Sequence, residues 1–400
     1  MATKKATTTA KKKAPTVSDK TENNDLKRLK PTSYLLTGDV GLDIVLSDGK
    51  GIPLGANIML FGLPGTGKTT LLGDTLKRIL DAYKKVGLPM RIHYVDSESS
   101  RELLESTGVM EYVYQKEEYA PQQVIYHEHV NSFKYLEELY KRMMDVKDNW
   151  GKDIYFIIID SVTKLSAESQ LTHEVDKGDF GDNARARKKL YGKWLSAIQE
   201  LDITQFWVSQ MATKQNVTNL YEDPKKPAVS DFDMHNMDII LRLSTNKDTK
   251  NVDIKKIEYD TILGKKEDVP KYLLTIDPGQ KNFTKNRYGQ NLPVEIMLWR
   301  GHGVINAYII RKILEAHKFI HKLDDQNFSM CQELADYLGR EALEAAGITN
   351  IDKFKRKPNL NRLCSLYNNT LIEFLHIKDA YCMKLKNDEG EVEDDGLFIA

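Results

Sequence analysis

Apolar and polar residues along the chain follow a pattern typical of a parallel α/β protein. Four short segments rich in apolar and β-branched residues predict strands, at residues 56–61, 91–95, 154–159 and 204–208. The segment 154–159 is apolar throughout, as expected for a central strand that is covered on both faces. Apolar residues at three- and four-residue spacing predict helices between these strands, at 72–83, 133–145 and 184–200. Alternating strands and helices indicate a mainly parallel sheet.

The pattern changes after about residue 291, where the apolar spacing predicts mostly helices, such as 304–317 and 330–345. We therefore expect an α/β core followed by a smaller, mainly helical C-terminal region. The predicted organisation is a disordered basic tail at 1–24, a possible protomer-contact arm at 25–36, the core at 37–290, the C-terminal region at 291–387 and an acidic tail at 388–400.

The composition excludes several classes of protein. Lys+Arg and Asp+Glu number 58 each among 400 residues, so any surface for nucleic acid must be local. The three cysteines lack metal-ligand spacing, which favours a reducing compartment over a disulfide scaffold. No apolar run approaches the ~20 residues of a membrane span, and no apolar secretion signal begins the chain.

Charge is concentrated at the two ends of the chain. Residues 1–20 contain six lysines and one acid, which suits either a non-specific phosphate tether or a solubilising extension. Residues 388–395 contain six acids, which suits a solvated tail or one that competes with DNA for a basic groove. The sequence leaves both alternatives open at each end.

The strongest motif follows the first predicted strand. Residues 62–69 match G-x-x-x-x-G-K-[ST], a phosphate-binding loop between a strand and a helix. Its backbone N–H groups would surround the phosphates of ATP, with Lys68 on the β- and γ-phosphates and the Thr69 hydroxyl on Mg²⁺. The predicted nucleotide-binding residues are Gly62, Leu63, Pro64, Gly65, Thr66, Gly67, Lys68, Thr69 and Thr70.

Polar residues follow the other predicted strands at their carboxyl ends, the edge where parallel sheets bind ligands. Asp160 ends the strand 154–159 and is the second predicted Mg²⁺ ligand, beside Thr69. Glu98 comes shortly after the strand 91–95, and Gln210 shortly after 204–208. Because these residues share one edge with the phosphate loop, we predict hydrolysis as well as nucleotide binding.

The order and spacing of these motifs resemble the RecA-type DNA recombinases of bacteria and phages, most closely the phage, UvsX-like branch. The first motifs of the family are resembled by residues 37–43, by residues 51–55 and by the phosphate loop. Its second motif is resembled by residues 94–98. Its metal-binding strand is resembled by residues 159–161, and its γ-phosphate sensor by residues 208–210. The similarity extends over about residues 33–245.

The resemblance implies a DNA-dependent ATPase that requires ATP and Mg²⁺ and polymerises on single-stranded DNA as a helical filament. Such a filament pairs its strand with homologous duplex DNA and exchanges strands, in the cytoplasm of a bacterium or of a phage-infected host. Single-strand-binding and loader proteins are further candidate partners, and no membrane is involved. The implied catalytic residues are Glu98, which polarises the attacking water, Lys68, and Gln210, which senses the γ-phosphate.

The resemblance also implies two DNA-binding loops, near residues 166–182 and 211–235. The second is expected to be without regular structure, which inside a compact core is usually functional or disordered. Lysines and arginines there would bind the DNA backbone without sequence preference. The candidate DNA-binding residues are Arg185, Arg187, Lys188, Lys193, Lys214, Lys225 and Lys226.

Several assignments stay open. The family completes its site across the protomer interface with a lysine pair, for which Lys255–Lys256 and Lys265–Lys266 are both candidates. No aromatic residue lies between Glu98 and Tyr112, so the sequence predicts no adenine contact. The C-terminal region is a candidate for duplex binding or, equally, for a lid or packing domain. The alternative functions are an accessory ATPase without strand exchange and a ring-forming motor such as a helicase.

Overall fold

The computed structural model describes most of the chain between residues 33 and 378. The described ranges are 33–113, 120–145, 153–172, 181–200, 202–213, 225–245, 271–278, 284–289, 293–299 and 303–378. No helix within these ranges is long and apolar enough to cross a membrane.

Six parallel strands form the centre of the fold. They are β3 (Asn57–Gly62), β4 (Met90–Asp96), β5 (Gln122–His127), β6 (Ile154–Asp160), β7 (Thr204–Thr213) and β9 (Ile239–Thr245). Their order across the sheet is β9-β3-β7-β6-β4-β5, with β3 between β7 and β9. The predicted α/β class and mainly parallel sheet are confirmed. The strands predicted at 56–61, 91–95 and 154–159 agree with β3, β4 and β6 within a residue or two.

Both faces of this sheet are buried, which explains its apolar strands. Along β3, Ile58 and Leu60 belong to one apolar cluster, whereas Met59 and Phe61 belong to a second cluster on the opposite face. All four side chains are at most 1% exposed. The alternation follows the two-residue period of a strand, so a continuous apolar run supplies a core on each side.

Helices cover the two faces. The first face is covered by α1 (Val40–Ser47), α2 (Lys68–Lys85) and α3 (Arg101–Thr107). The second face is covered by α4 (Phe133–Asp145) and α6 (Asp182–Glu200). The short α5 (Glu168–Thr172) lies between α4 and α6 in the chain. The apolar spacing of the second helix places Leu72, Leu76 and Ile79 in the first cluster. This helix ends at Lys85, two residues beyond the predicted end, and Gly87 then adopts a left-handed conformation (φ 68°).

Antiparallel strands extend the sheet beyond β9. They are β10 (Lys271–Asp277), β11 (Lys285–Asn286), β12 (Val294–Trp299) and β13 (Gly303–Val304). β10 pairs with β9, β12 with β10, and β13 with β12, while β11 pairs separately with β9. The sheet therefore continues to Val304, beyond the boundary predicted at residue 291. β11 and β13 are only two residues long and carry little periodic signal.

The described C-terminal region spans residues 306–378 and is mainly helical. Its helices are α8 (Asn306–Ala316), α9 (Gln332–Ala345), α10 (Asn361–Leu366) and α11 (Asn368–Ile377), with a π-helical turn at Arg356–Leu360. A three-stranded antiparallel sheet of β14 (Ile320–Lys322), β15 (Asn327–Met330) and β16 (Phe354–Lys355) completes it. This small sheet was absent from the sequence prediction, whereas the two predicted helices agree with α8 and α9.

Polar contacts connect the C-terminal region to the core. Asn306 at the start of α8 donates from Nδ2 to the carbonyl of Gly38 (2.6 Å) and accepts from the N–H of Val40 (3.2 Å). Arg78 on α2 donates to the carbonyl of Val304 (2.7 Å), just before this region, and Asp74 on the same helix accepts from the N–H of Val304 (2.9 Å). Because these bonds join distant parts of the chain, they fix the region against the face that carries α1 and α2.

The predicted protomer-contact arm, 25–36, lies mostly outside the described residues. Its described end contains β1 (Tyr34–Leu35), which pairs with β2 (Ile52–Pro53) of the same chain. Leu35 is buried in the core, whereas Leu36 is 38% exposed. This end of the predicted arm therefore belongs to the core of its own protomer.

Candidate nucleotide-binding and catalytic site

The phosphate loop connects the carboxyl end of β3 to the start of α2. Gly65 and Gly67 have φ values of 78° and 89°, a left-handed conformation that favours glycine. Gly62 is required for a different reason, since a Cβ there would lie 2.5 Å from the carbonyl oxygen of Leu243 on β9. The loop thus places its backbone N–H groups beside the positive end of the α2 dipole, the arrangement that binds phosphates.

Lys68 begins α2 and turns back over the loop. Its Nζ donates to the carbonyl oxygens of Gly62 (3.1 Å) and Leu63 (3.0 Å), and its side chain is 7% exposed. Burial lowers the pKa of the amine, and the nearby carboxylates of Asp160 and Glu98 act in the opposite direction. The two carbonyl bonds are ones that phosphate oxygens can replace, so the lysine lies where the predicted role requires it.

Thr69 and Asp160 are in direct contact, as a shared metal site requires. The Thr69 hydroxyl donates to Oδ2 of Asp160 (2.7 Å), and the hydroxyl of Tyr94 on β4 donates to the same oxygen (2.8 Å). Asp160 is fully buried, and burial raises the pKa of its carboxyl to about 6. Its second oxygen, Oδ1, accepts no hydrogen bond from any described residue.

These residues fit Mg²⁺. The donor set is a carboxylate and a hydroxyl oxygen, the hard ligands that this ion prefers. A fully buried carboxylate oxygen without a donor is unfavourable unless a cation or water satisfies it, and Oδ1 of Asp160 is such an atom. The assignment of Thr69 and Asp160 to the metal therefore agrees with the chemistry of the site.

Glu98 lies in a turn that a second buried carboxylate holds in place. Asp96, at the end of β4, accepts from the N–H of Glu98 at Oδ1 (2.9 Å) and from the N–H of Ser100 at Oδ2 (2.7 Å). Tyr126 on β5 also donates to Oδ2 of Asp96 (2.5 Å). Asp96 is fully buried and has donors on both of its oxygens. The two backbone N–H donors fix the turn that presents Glu98.

The carboxylate of Glu98 contacts two other strands of the sheet. Its Oε1 accepts from the hydroxyl of Ser161, directly after β6, at 2.7 Å and from Nε2 of Gln210 on β7 at 2.8 Å. The three residues predicted at the carboxyl ends of the strands, Glu98, Asp160 and Gln210, thus lie at one edge as expected. Ser161 was not among the predicted site residues, although its position beside Asp160 brings it to the same edge.

Gln210 lies where β7 leaves the sheet and enters a hairpin. The carbonyl of Gln210 accepts from the N–H of Ala228 (2.8 Å), and the following residues of β7 pair with β8 (Lys225–Pro227). Ser230 then caps α7 (Asp231–Asn236) through a reciprocal pair of bonds with Asp233. The described parts of the predicted loop 211–235 are therefore an antiparallel hairpin and a helix, which corrects the expectation of a segment without regular structure. Ladder bonds and this helix cap order the backbone there.

The candidate DNA-binding residues divide into different environments. Arg185 on α6 is 66% exposed at its side chain and pairs with Asp182 (2.8 Å). Arg187, two residues on, is 8% exposed and forms an ion pair with the buried Asp233 (2.9 Å). The structure therefore places Arg187 in the interior, where its charge is already neutralised, because residues two apart face different sides of a helix.

The remaining candidates are lysines. Lys188 is exposed, and its ammonium lies 5.6 Å from the ring centroid of Phe232 on α7. Lys193 is also exposed and pairs with Glu137 on α4. Lys226 is half-buried on β8, next to Lys225 on the same strand. Lys214 lies outside the described residues, as do residues 173–180 of the first predicted loop and both candidate lysine pairs, Lys255–Lys256 and Lys265–Lys266.

Two histidines on neighbouring strands, His93 on β4 and His127 on β5, are in contact. Nε2 of His127 lies 3.0 Å from Nδ1 of His93 on β4, and its Nδ1 lies 2.8 Å from the hydroxyl of Tyr135. Burial lowers the pKa of His93 to about 3 and that of His127 to about 4. Both rings are therefore neutral at physiological pH and connect the strands to α4.

Comparisons with known proteins indicate a distant relationship. No family model matches the chain. Over 193 residues, 47% of this chain, it is 24% identical to protein RecA of Sulfurimonas denitrificans, of which the match covers 48%. It is 28% identical over 186 residues, 45% of this chain, to each of the RecA proteins of Rickettsia massiliae and Rickettsia bellii, covering 47% of both. The chain spans about half the length of these relatives. Together with the parallel sheet and phosphate loop, this similarity supports a RecA-like ATPase core.

Proposed function

We propose that the chain is an ATP-dependent homologous recombinase of the phage, UvsX-like branch of the RecA family. In this proposal it is a DNA-dependent ATPase that forms a helical filament on single-stranded DNA, pairs the strand with homologous duplex DNA and exchanges strands. The proposal is supported by the distant similarity to RecA proteins and carried by one observation, the hydrogen bond between Gln210 and Glu98.

Gln210 joins two parts of the molecule with different tasks. Its side chain reaches the carboxylate expected to activate water, whereas its main chain is bonded to the hairpin that carries the second predicted DNA-binding loop. A displacement of the hairpin by bound DNA would therefore change the position of the amide against Glu98. This is a short physical route by which single-stranded DNA can regulate hydrolysis, and by linkage ATP can regulate DNA binding.

Each side chain of the site has a different role in ATP hydrolysis. Lys68 exchanges its two carbonyl partners for β- and γ-phosphate oxygens, while the loop N–H groups bind the remaining oxygens. Bound Mg²⁺, held by Thr69 and Asp160, would neutralise charge on the phosphates. Glu98 orients and polarises the attacking water for in-line displacement. The amide of Gln210 donates either to Glu98 or to the γ-phosphate, so the loss of that phosphate is transmitted to the hairpin.

DNA would contact the exposed charges of α6 and the lysines of the hairpin. Arg185, Lys188 and Lys189 on α6 are exposed, and Lys225 and Lys226 lie on β8. Phosphate contacts from such residues bind single strands without sequence preference and weaken as salt increases. We assign Arg187 to the fold and not to this surface, because it is buried against Asp233.

The wider parts of the proposal rest on the family resemblance. They are assembly of copies of this chain into a filament, duplex DNA as second substrate, single-strand-binding and loader proteins as partners, and the cytoplasm of a bacterium or phage-infected cell as the location. Lys193 and Lys214 remain DNA candidates under the same proposal.

A strand-exchange assay tests the proposal. Circular single strands and homologous linear duplex are incubated with the protein and ATP, and joint molecules are counted on gels. Wild-type protein is expected to form joint molecules, and Lys68→Ala is expected to form none. Glu98→Ala is expected to bind single strands in the presence of ATP but to hydrolyse the ATP slowly. The control is Glu102→Gln, an exposed glutamate four residues after Glu98. A protein that hydrolyses ATP and binds single strands but forms no joint molecules would instead be an accessory ATPase.

A further inference from the structure

Two buried carboxylates lie side by side at the catalytic edge of the sheet. Asp96 on β4 and Asp160 on β6 are register partners, and both are fully buried. Each accepts a hydrogen bond from a tyrosine on the adjacent strand. Tyr94 donates to Asp160 (2.8 Å) and Tyr126 donates to Asp96 (2.5 Å), and the two rings lie 6.1 Å apart.

The two carboxylates differ in how their oxygens are used. Asp96 has protein donors on both oxygens, with the Glu98 N–H on Oδ1 and the Ser100 N–H on Oδ2. Asp160 has both of its donors, the hydroxyls of Thr69 and Tyr94, on Oδ2, while no described residue donates to Oδ1. Two donors on one oxygen restrict rotation of the carboxylate and leave its other oxygen for a cation.

We propose that Tyr94 is a positioning residue for the metal site, whose hydroxyl holds Asp160 in the orientation that binds the divalent cation of the nucleotide. This inference rests on the nucleotide-binding part of the proposed function. It does not depend on DNA binding or strand exchange.

Tyr94 is better suited to this task than Thr69 alone. Thr69 is itself an expected ligand, so its oxygen must serve the cation and its proton the carboxylate at the same time. Tyr94 contacts Asp160 from the neighbouring strand, and its side chain is 1% exposed within the apolar core.

The arrangement resembles the way in which proteins orient metal ligands generally. A group that touches a ligand and not the metal fixes the direction of the ligand, and its removal typically weakens metal binding about 10- to 100-fold. Tyr94→Phe removes only the hydroxyl and retains the buried ring. Tyr126→Phe is a matched control, because it removes the corresponding hydroxyl from Asp96, the neighbouring carboxylate that has donors on both oxygens.

The test is a Mg²⁺ titration of the binding of a fluorescent ATP analogue to the wild type and both variants. Affinity for the analogue in EDTA, Mn²⁺ binding followed by paramagnetic resonance, and thermal unfolding midpoints are measured in parallel. All titrations are run below the lowest midpoint, so that a loss of stability does not enter the comparison. We expect Tyr94→Phe to need about 10-fold more Mg²⁺ for half-maximal binding, with unchanged affinity in EDTA. Tyr126→Phe is expected to keep the wild-type Mg²⁺ requirement.

Each other outcome has a definite meaning. An unchanged Mg²⁺ requirement in Tyr94→Phe would overturn the inference, even if the unfolding midpoint fell, because the hydroxyl would then serve stability alone. An equal rise in both tyrosine variants would also overturn it, since the effect would not be specific to Asp160. A wild-type protein that binds no nucleotide at all would overturn the proposed function together with this inference. Normal nucleotide binding without any DNA effect would contradict only the proposed function.

Discussion

The side-chain amide of Gln210 donates a 2.8 Å hydrogen bond to the carboxylate of Glu98, a residue 112 positions earlier in the chain. Glu98 follows β4 and Gln210 lies on β7, and these two strands are separated in the sheet by β6. Because Gln210 also begins the hairpin of β7 and β8, this bond connects the site of hydrolysis to a candidate DNA-binding element. The contact gives the proposed function a specific physical basis.

Replacing Gln210 by alanine is expected to separate hydrolysis from DNA binding. Glu98 keeps its bond from Ser161, so basal ATP hydrolysis should persist, while its increase on addition of single-stranded DNA should be lost. Steady-state hydrolysis with and without single strands measures this directly. Gln123→Ala on β5 is the matched control, because Gln123 lies near the opposite end of the parallel strands. A variant that retains full stimulation would show that the signal takes another route.

Replacing Glu98 by glutamine keeps the shape of the side chain and removes its basicity. We expect turnover to fall about 10²- to 10⁴-fold, the range in which general bases contribute, with affinity for an ATP analogue almost unchanged. Single-turnover hydrolysis and fluorescence binding separate the two effects. An equal loss of binding and turnover would assign Glu98 to nucleotide binding and not to water activation.

Arg185 and Arg187 are expected to give opposite results when each is replaced by alanine. Arg185 is 66% exposed at its side chain, so its loss should weaken the binding of single-stranded DNA without loss of stability. The slope of the logarithm of the binding constant against the logarithm of the salt concentration should become shallower by about 0.7. Arg187 leaves the buried Asp233 without its cation, so its loss should lower the free energy of unfolding by about 3 kcal/mol. DNA titrations at several salt concentrations and urea denaturation measure the two effects. Equal stability of the two variants would contradict the assignment of Arg187 to the fold.

Asp43 on α1 predicts a dependence of stability on pH. Its carboxylate is buried and accepts from the N–H (2.9 Å) and hydroxyl (2.7 Å) of Thr37, and burial raises its pKa to about 8. The folded protein therefore retains a proton that the unfolded chain releases near pH 4, so this group makes the free energy of unfolding fall as pH rises from about 4 to about 8. The slope for one proton is at most about 1.4 kcal/mol per pH unit.

Asp43→Asn should flatten that slope, because the amide cannot ionise and can still accept from Thr37. Urea denaturation at pH 5 and pH 9 is the measurement, and the variant should gain stability relative to the wild type at the higher pH. Asp39 and Asp160, whose pKa values burial raises to about 6, contribute a dependence of the same sign in both proteins, over the narrower range from about pH 4 to about pH 6. Identical slopes in the two proteins would contradict the ionisation of Asp43.

The central sheet could be predicted because its signal is local. The run at 154–159 is apolar throughout because both faces of that strand are covered. The phosphate loop is recognised from the spacing of its glycines and lysine. The antiparallel extension was missed because its pairing depends on partners far along the chain, and two of its strands, β11 and β13, are only two residues long. A periodic pattern contains no information about those partners.

The main residues of the candidate site could be proposed from the sequence, whereas its supporting residues could not. Lys68 lies in the phosphate-loop motif, Asp160 ends a strand and Glu98 comes shortly after one. These positions can be read from the sequence. Tyr94 lies inside a strand, where a tyrosine is equally suited to the apolar core, and only the register of β4 against β6 brings its hydroxyl to Asp160. The inward position of Arg187 likewise depends on Asp233, a residue of another helix.

The most direct test of the account is the rate of ATP hydrolysis with and without single-stranded DNA, at low and moderate salt, for the wild type and Lys68→Ala. The account predicts a many-fold rise on addition of single strands, a smaller rise at moderate salt, and no hydrolysis in the variant. Wild-type hydrolysis at the same rate with and without DNA would contradict it, because a site joined to the hairpin through Gln210 should respond to what the hairpin binds.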